Sequence, residues 1–110
     1  MNKINKGIFN IPLNPQNAPS SDVLNEAIES VVLADKFGVD EAYFGEHITD
    51  KHEKIASSLM MVSALSKLTK KIKLGTLTVN LNFYNPAIAS SLISMNDNLS
   101  KGRLILGIGS

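Results

Sequence analysis

The sequence predicts an α/β fold in which helices cover a parallel sheet. Hydrophobic periodicity switches between strand-like and helix-like segments along all 110 residues, in the order β, α, β, α, β, α, β. The strands recur at roughly the 30-residue spacing of a βαβ crossover, and such crossovers produce parallel neighbours. Composition agrees, because 44% hydrophobic with 19% charged residues is ordinary for a packed core. No linker, low-complexity segment or internal repeat interrupts the series, so residues 1–110 read as one part of a single domain.

Each element has its own signal. Gly7 to Ile11 is a short apolar strand, followed by a Pro-, Asn- and Ser-rich turn over Pro12 to Ser21. Leu24, Ala27, Ile28, Val31, Ala34 and Phe37 then recur at helical spacing, with Ser21 or Asp22 as N-cap and Gly38 just past the end. Ala42 to Gly45 is the second strand. After a polar loop, Leu59, Val62, Leu65 and Leu68 mark the second helix. Ile72 to Leu81, rich in β-branched residues, is the third strand. Pro86 suits the first turn of a third helix whose stripe is Ile88, Leu92, Met95 and Leu99, with Lys101-Gly102 closing it. Arg103 to Ile108 is expected as a buried fourth strand, and Met60, Met61 and Met95 as core filler.

Two architectures accommodate this order. A doubly wound sheet places a Gly-rich phosphate turn after its first strand, but that position reads Asn10-Ile-Pro-Leu-Asn14. Gly107-x-Gly109 is a weak match, since two such glycines are common by chance. A (β/α)8 barrel gathers functional groups at the carboxyl ends of successive strands. They are found there: Asn10, then Glu46-His47, then Asn80 and Asn82, then Gly107 to Ser110. The expected fold is therefore a half-barrel, the first four strands and three helices of a TIM barrel, because a complete one needs about 250 residues.

Charge and composition exclude several functions. Eleven Lys and Arg against ten Asp and Glu give a net charge of +1, with no basic block beyond Lys70-Lys71 and Lys73. Aromatics make up only 5%, so a nucleic-acid partner is not expected. The absence of cysteine removes disulfides, thiolate metal sites and a cysteine nucleophile, and suits a reducing cytoplasm. The early apolar run is broken by Asn10 and Pro12, too short for a signal core or a membrane span, which makes the cytoplasm the expected compartment. Glu46, His47, Asp50, His52 and Glu53 form a cluster. The spacing of its two histidines suits neither one helical face nor a zinc hairpin, so no metal site is expected. Asp97 and Arg103 read as structural, Arg103 lying at the amino-terminal face of a barrel.

Several of these blocks resemble the bacterial-luciferase-like, flavin-dependent monooxygenases. Gly45-Glu-His-Ile-Thr49 is similar to the segment after that family's second strand. Leu74-Gly-Thr76, Pro86 and Asp97-Asn-Leu-Ser-Lys-Gly-Arg103 running into Leu106-Gly-Ile-Gly109 resemble its third- and fourth-strand blocks. The match runs through the whole chain in order, its final block is the most specific, and the nearest flavour is that of limonene-type and alkanal monooxygenases. The resemblance implies an oxidoreductase in which reduced FMN, or a deazaflavin, activates dioxygen for transfer of one oxygen atom to a small organic substrate. It makes His47 the catalytic histidine. It makes Glu46, Leu77, Thr78, Asn80, Gly109 and Ser110 cofactor-binding residues, with a non-prolyl cis peptide at Leu77-Thr78 under the flavin ring and Ser110 where relatives often carry a residue reaching the flavin. Ile48 stands where relatives commonly have a second histidine, which removes any relay through two imidazoles.

A half-barrel would hold the ring-facing side of a flavin site without the later loops that grip the phosphate. Three function classes follow: a monooxygenase or half of one, a non-catalytic flavin-binding protein, and a truncated remnant that folds by association. Free strand edges at Gly7 to Ile11 and Arg103 to Ile108, with an uncovered inner face at Ile8 or Phe9, imply a homodimer or a complementary half-barrel chain as partner.

Overall fold

A computed structural model describes residues 2–14 and 16–110. Four strands form a parallel sheet in the order β1 (Gly7–Asn10), β2 (Glu41–Phe44), β3 (Lys73–Thr76) and β5 (Leu104–Ile105). Helices α1 (Ser20–Lys36), α2 (Ser58–Ser66) and α3 (Pro86–Leu99) make the crossovers. Each new strand is added beside the one before it, with no reversal, which is barrel winding rather than doubly wound order.

Strand alternation assigns the two faces. Ile8, Ala42, Leu74 and Leu104 share one row of the register and pack toward the helices. There they meet Ala27, Val31 and Ala34 of α1 and Met61, Val62 and Leu65 of α2, with Phe44 and Ile72 also in the core. The opposite row is Phe9, Tyr43, Gly75 and Ile105, the side that a closed barrel turns inward. Phe9 is therefore the inward residue of β1, and Ile8 belongs to the helix layer. Gly75 has no side chain because the Tyr43 ring crosses it: a Cβ there would lie 2.6 Å from Tyr43 Cε1.

Helix ends follow local chemistry. The Ser57 hydroxyl accepts from Met60 N at 3.3 Å at the start of α2, and Asn85 Oδ1 accepts from Ala87 N at 2.9 Å ahead of Pro86 at the start of α3. α1 starts two to three residues earlier than expected. Pro19 occupies its N-cap and no side chain among the described residues caps it, so neither Ser21 nor Asp22 serves. Gly38, at φ +78°, terminates α1 in the left-handed region as expected.

At the amino-terminal face, Arg103 joins the chain together. Its guanidinium donates to the carbonyls of Ser100 (Nε, 2.8 Å), Ile72 (2.9 Å), Ser66 (2.7 Å) and Thr69 (3.3 Å), and to Thr69 Oγ1 at 2.8 Å. Beside it, Asp35 accepts from the backbone N–H groups of Lys70, Lys71 and Ile72 at 2.7, 2.9 and 2.7 Å. Both residues are structural.

Three expectations need correction. The third strand does not run unbroken from Ile72 to Leu81, nor the fourth from Arg103 to Ile108. Each is interrupted, and pairing resumes between β4 (Val79–Asn80) and β6 (Ile108–Gly109). Between Gly75↔Ile105 and Val79↔Ile108, the three residues 76–78 oppose the two residues 106–107, a bulge. The Thr76 hydroxyl pins it by donating to Gly107 O at 2.9 Å and accepting from Gly107 N at 3.0 Å. The fourth strand is half-buried to exposed rather than buried, because among the described residues no further strand lies on its outer edge. Last, Ile88, Leu92 and Met95 of α3 are exposed, as is Met60, and the residues α3 buries are Ala89 and Asn96. Of the expected methionine fillers only Met61 serves the core.

Candidate functional site

The carboxyl ends of the strands bring most of the expected site residues to one rim. Glu46, two residues past β2, is buried. Its Oε2 accepts from both N and Oγ of Ser58 at 3.0 Å, and its Oε1 accepts from Asn80 N at 2.9 Å. Asn80 Nδ2 donates back to Glu46 O at 3.3 Å. One carboxylate thus ties the end of β2 to the first turn of α2, where the helix dipole favours negative charge, and to β4 beyond the bulge.

The peptide between Leu77 and Thr78 is cis, where the resemblance implies one. Leu77 is exposed, with its N–H held by Phe44 O at 2.8 Å. Gly109 pairs with Asn80, and a Cβ on it would overlap the Thr78 hydroxyl unless that side chain moved. Gly107 is closed to a side chain by the Thr76 carbonyl. The Gly-x-Gly pair therefore serves close strand approach at the bulge. Ser110 follows β6 and is exposed, and Ile108 also projects into the open.

His47 begins the loop that leads to α2. Its N–H donates to Ile55 O at 2.9 Å, and its ring Nδ1 lies directly against Glu53 Oε2. The side chain of His47 is 44% exposed against 21% for Glu53. The loop is braced at several points: Leu13 bridges Glu53, Asn14 N donates to His52 O at 2.9 Å, and Asp50 Oδ1 accepts from His52 N and Glu53 N at 2.7 and 2.9 Å. Those hydrogen bonds, from Glu53 first and His52 second, hold the Asp50 carboxyl below its ordinary value. The His52 residue is exposed.

Sequence reasoning missed two partners. Ser58 sits in an ordinary-looking helix start, and nothing local links it to Glu46. Glu53 entered only as one member of an acidic and histidine cluster, and its pairing with His47 depends on the path of the loop.

The description of the luciferase-like monooxygenases matches residues 6–110. The chain belongs to that family. Limonene 1,2-monooxygenase of Rhodococcus erythropolis is 30% identical over 107 residues, covering 97% of this chain and 28% of that protein. An F420-dependent glucose-6-phosphate dehydrogenase of Amycolatopsis mediterranei is 32% identical over 89 residues, covering 77% and 27%. Among solved structures, the oxygenating constituent of 3,6-diketocamphane monooxygenase from Pseudomonas putida, a type II Baeyer-Villiger monooxygenase in complex with FMN, superposes with a TM-score of 0.91 at 26% identity. That superposition covers 97% of this chain and 29% of the other. This luciferase-like chain thus spans between about a quarter and a third of the relatives it matches, and its parallel sheet is a fragment of the TIM-barrel fold they share.

Proposed function

We propose that the chain forms the ring-facing part of a flavin site in a luciferase-like monooxygenase, with His47 as its acid–base residue. The observation that carries this reading is the meeting of Glu46, Thr78, Asn80 and Gly109 at one strand-end rim, where Leu77 and Ile108 stay exposed. A flavin ring needs an apolar platform with fixed polar groups at its border, and these residues fit that need. The phosphate is another matter. Arg103 and Lys70 to Lys73 sit at the opposite face, leaving Lys51 and Lys54 of the His47 loop as the basic residues near the rim.

When bound, reduced flavin would supply the electrons that activate dioxygen for transfer of one atom to an organic substrate. The chain's own residues then do three things. Glu46 positions the rim through Ser58 and Asn80, since both its oxygens are already engaged by the protein. Leu77 and Ile108 offer a dry surface. His47 holds or delivers a proton, as an imidazole does near neutral pH. FMN is the form we assign, on the strength of the diketocamphane relative; the F420-dependent relative makes a deazaflavin the competitor, and the absorption spectrum of the bound cofactor separates them. On the same footing we place the protein in the cytoplasm, since a cysteine-free sequence suits a reducing compartment.

Flavin titration and reductant-dependent oxygen consumption test the reading. His47→Ala should lower turnover by about 10²-fold with flavin affinity little changed, while His52→Ala leaves both alone. Equal losses at the two histidines would refute the assignment. A flavoprotein with no oxygen consumption would be the non-catalytic binder instead.

The open face supports a second statement. Phe9 is half exposed, α3 presents Ile88, Leu92 and Met95 to solvent, and β1 and β5 are the two edge strands. The working unit includes further polypeptide over the inner face, either a complementary barrel half or a second copy. Light scattering at micromolar concentration should find the 110-residue chain associated; a monodisperse, cooperatively melting monomer would overturn this.

A further inference from the structure

We infer that Glu53 is the positioning residue of His47: it fixes the proton on Nδ1 and so makes Nε2 the working nitrogen. The inference deepens the proposed role of His47 and rests on it for its catalytic meaning. Glu53 Oε2 is buried and, among the described residues, takes no hydrogen bond from any other donor. His47 Nδ1 lies directly against it. If the neutral ring carried its proton on Nε2, two lone pairs would face each other and a buried carboxylate oxygen would have no donor at all. A buried acceptor left without a partner is costly enough to decide between two tautomers of similar energy. With the proton on Nδ1, both atoms are satisfied, and Nε2 is left as the acceptor through which a proton is taken up or released.

The placement of Glu53 is built in. Its backbone is held by the bridge to Leu13 and by the Asp50 carboxylate, while the neighbouring His52 carbonyl takes the Asn14 N–H. The carboxylate is therefore presented to the imidazole by a loop braced against the β1–α1 connection. His52 has no such partner among the described residues, although it stands on the same loop.

Nitrogen-15 long-range correlation spectra of the imidazoles, at a pH that leaves both histidines neutral, read the tautomer directly. His47 should show the Nδ1–H pattern, and His52 in the same sample the Nε2–H pattern that an unconstrained imidazole prefers. Glu53→Ala should return His47 to the Nε2–H form, and Glu53→Gln, which keeps the side-chain size should the alanine variant unfold, should give a mixture. In turnover, Glu53→Ala should cost about 10- to 100-fold in kcat, the range for losing a group that orients a histidine, with KM little changed, and should add nothing in a His47→Ala background. An Nε2–H tautomer of His47 in the unaltered protein, an Nδ1–H tautomer that survives Glu53→Ala, or additive losses in the double variant would each overturn the inference. Failure to bind flavin with the His47 tautomer as stated would refute the proposed function and leave the Glu53–His47 coupling in place.

Discussion

Replacing Arg103 with Ala should cost more stability than any other single surface-accessible change at the amino-terminal face. The guanidinium serves four backbone carbonyls and one hydroxyl, and those acceptors belong to Ser66, Thr69, Ile72 and Ser100, all buried. Charge-assisted hydrogen bonds contribute about 1.5–3 kcal/mol each, so a plain sum over five would exceed the whole stability of a small domain. The bonds share one side chain and Arg103 is half-buried, so water replaces part of the loss; about 3–4 kcal/mol is the reasonable total. With a urea m-value of about 1.5 kcal/mol/M, the unfolding midpoint should fall by about 2–3 M. Arg103→Lys should recover less than half of this, because an ammonium cannot fork to acceptors on three sides. Far-UV circular dichroism in urea, at matched protein concentration, makes the measurement. A loss below about 1 kcal/mol for the alanine variant, or full stability in the lysine variant, would refute the argument that these carbonyls depend on the guanidinium.

Two further outcomes follow from carboxylates that accept backbone N–H groups. Burial pushes the Asp35 carboxyl up, but hydrogen bonds from Ile72, Lys70 and Lys71 and the charge of Arg103 outweigh it and hold it below its ordinary value of 3.8. A depressed carboxyl adds stability that is fully present above its unfolded value and lost as pH falls through the folded one. The stability gap between wild type and Asp35→Asn, followed by denaturant titration, should therefore be constant above about pH 5 and close in strong acid; a gap independent of pH would refute this. Glu46→Gln sets an amide N–H2 against donors from Ser58 or Asn80, and should destabilise by about 1–3 kcal/mol even without cofactor; thermal melts of the flavin-free protein would show it, and an unchanged melt would return Glu46 to a purely cofactor-facing role.

Much of the fold was legible because periodicity and caps are local signals. The α1 stripe from Leu24 to Ala34, Gly38, Pro86 and the strand-end cluster around Glu46 and His47 lie where sequence reasoning places them, whereas Phe37 and Leu68, the last residues of the α1 and α2 stripes, fall beyond their helices and are exposed. The bulge was not legible. Ile72 to Leu81 is rich in β-branched residues and reads as one strand, and the interruption arises from Thr76 gripping Gly107, a contact between residues 31 apart in sequence. The α3 stripe was read as a core face because periodicity identifies an amphipathic helix without saying what covers it. At the site, residue types and strand ends were visible in the sequence, but the partners that orient them were not: Ser58 reaches Glu46, and Glu53 reaches His47, only once loop geometry exists.

The crossing of the Tyr43 ring over Gly75 makes these two positions share one allotment of space on the inner face. Side-chain volume can be moved between them but not added to both. A larger residue at 75 demands a smaller one at 43, so single changes at 75 should be rejected while paired exchanges are accepted. The Tyr43 hydroxyl also donates to Glu41 Oε2 at 2.8 Å, so shrinking the ring would release a carboxylate into the same interior as well as opening room. For anyone reshaping the inside of this barrel, residues 43 and 75 are one design variable, and randomising them together is the efficient library.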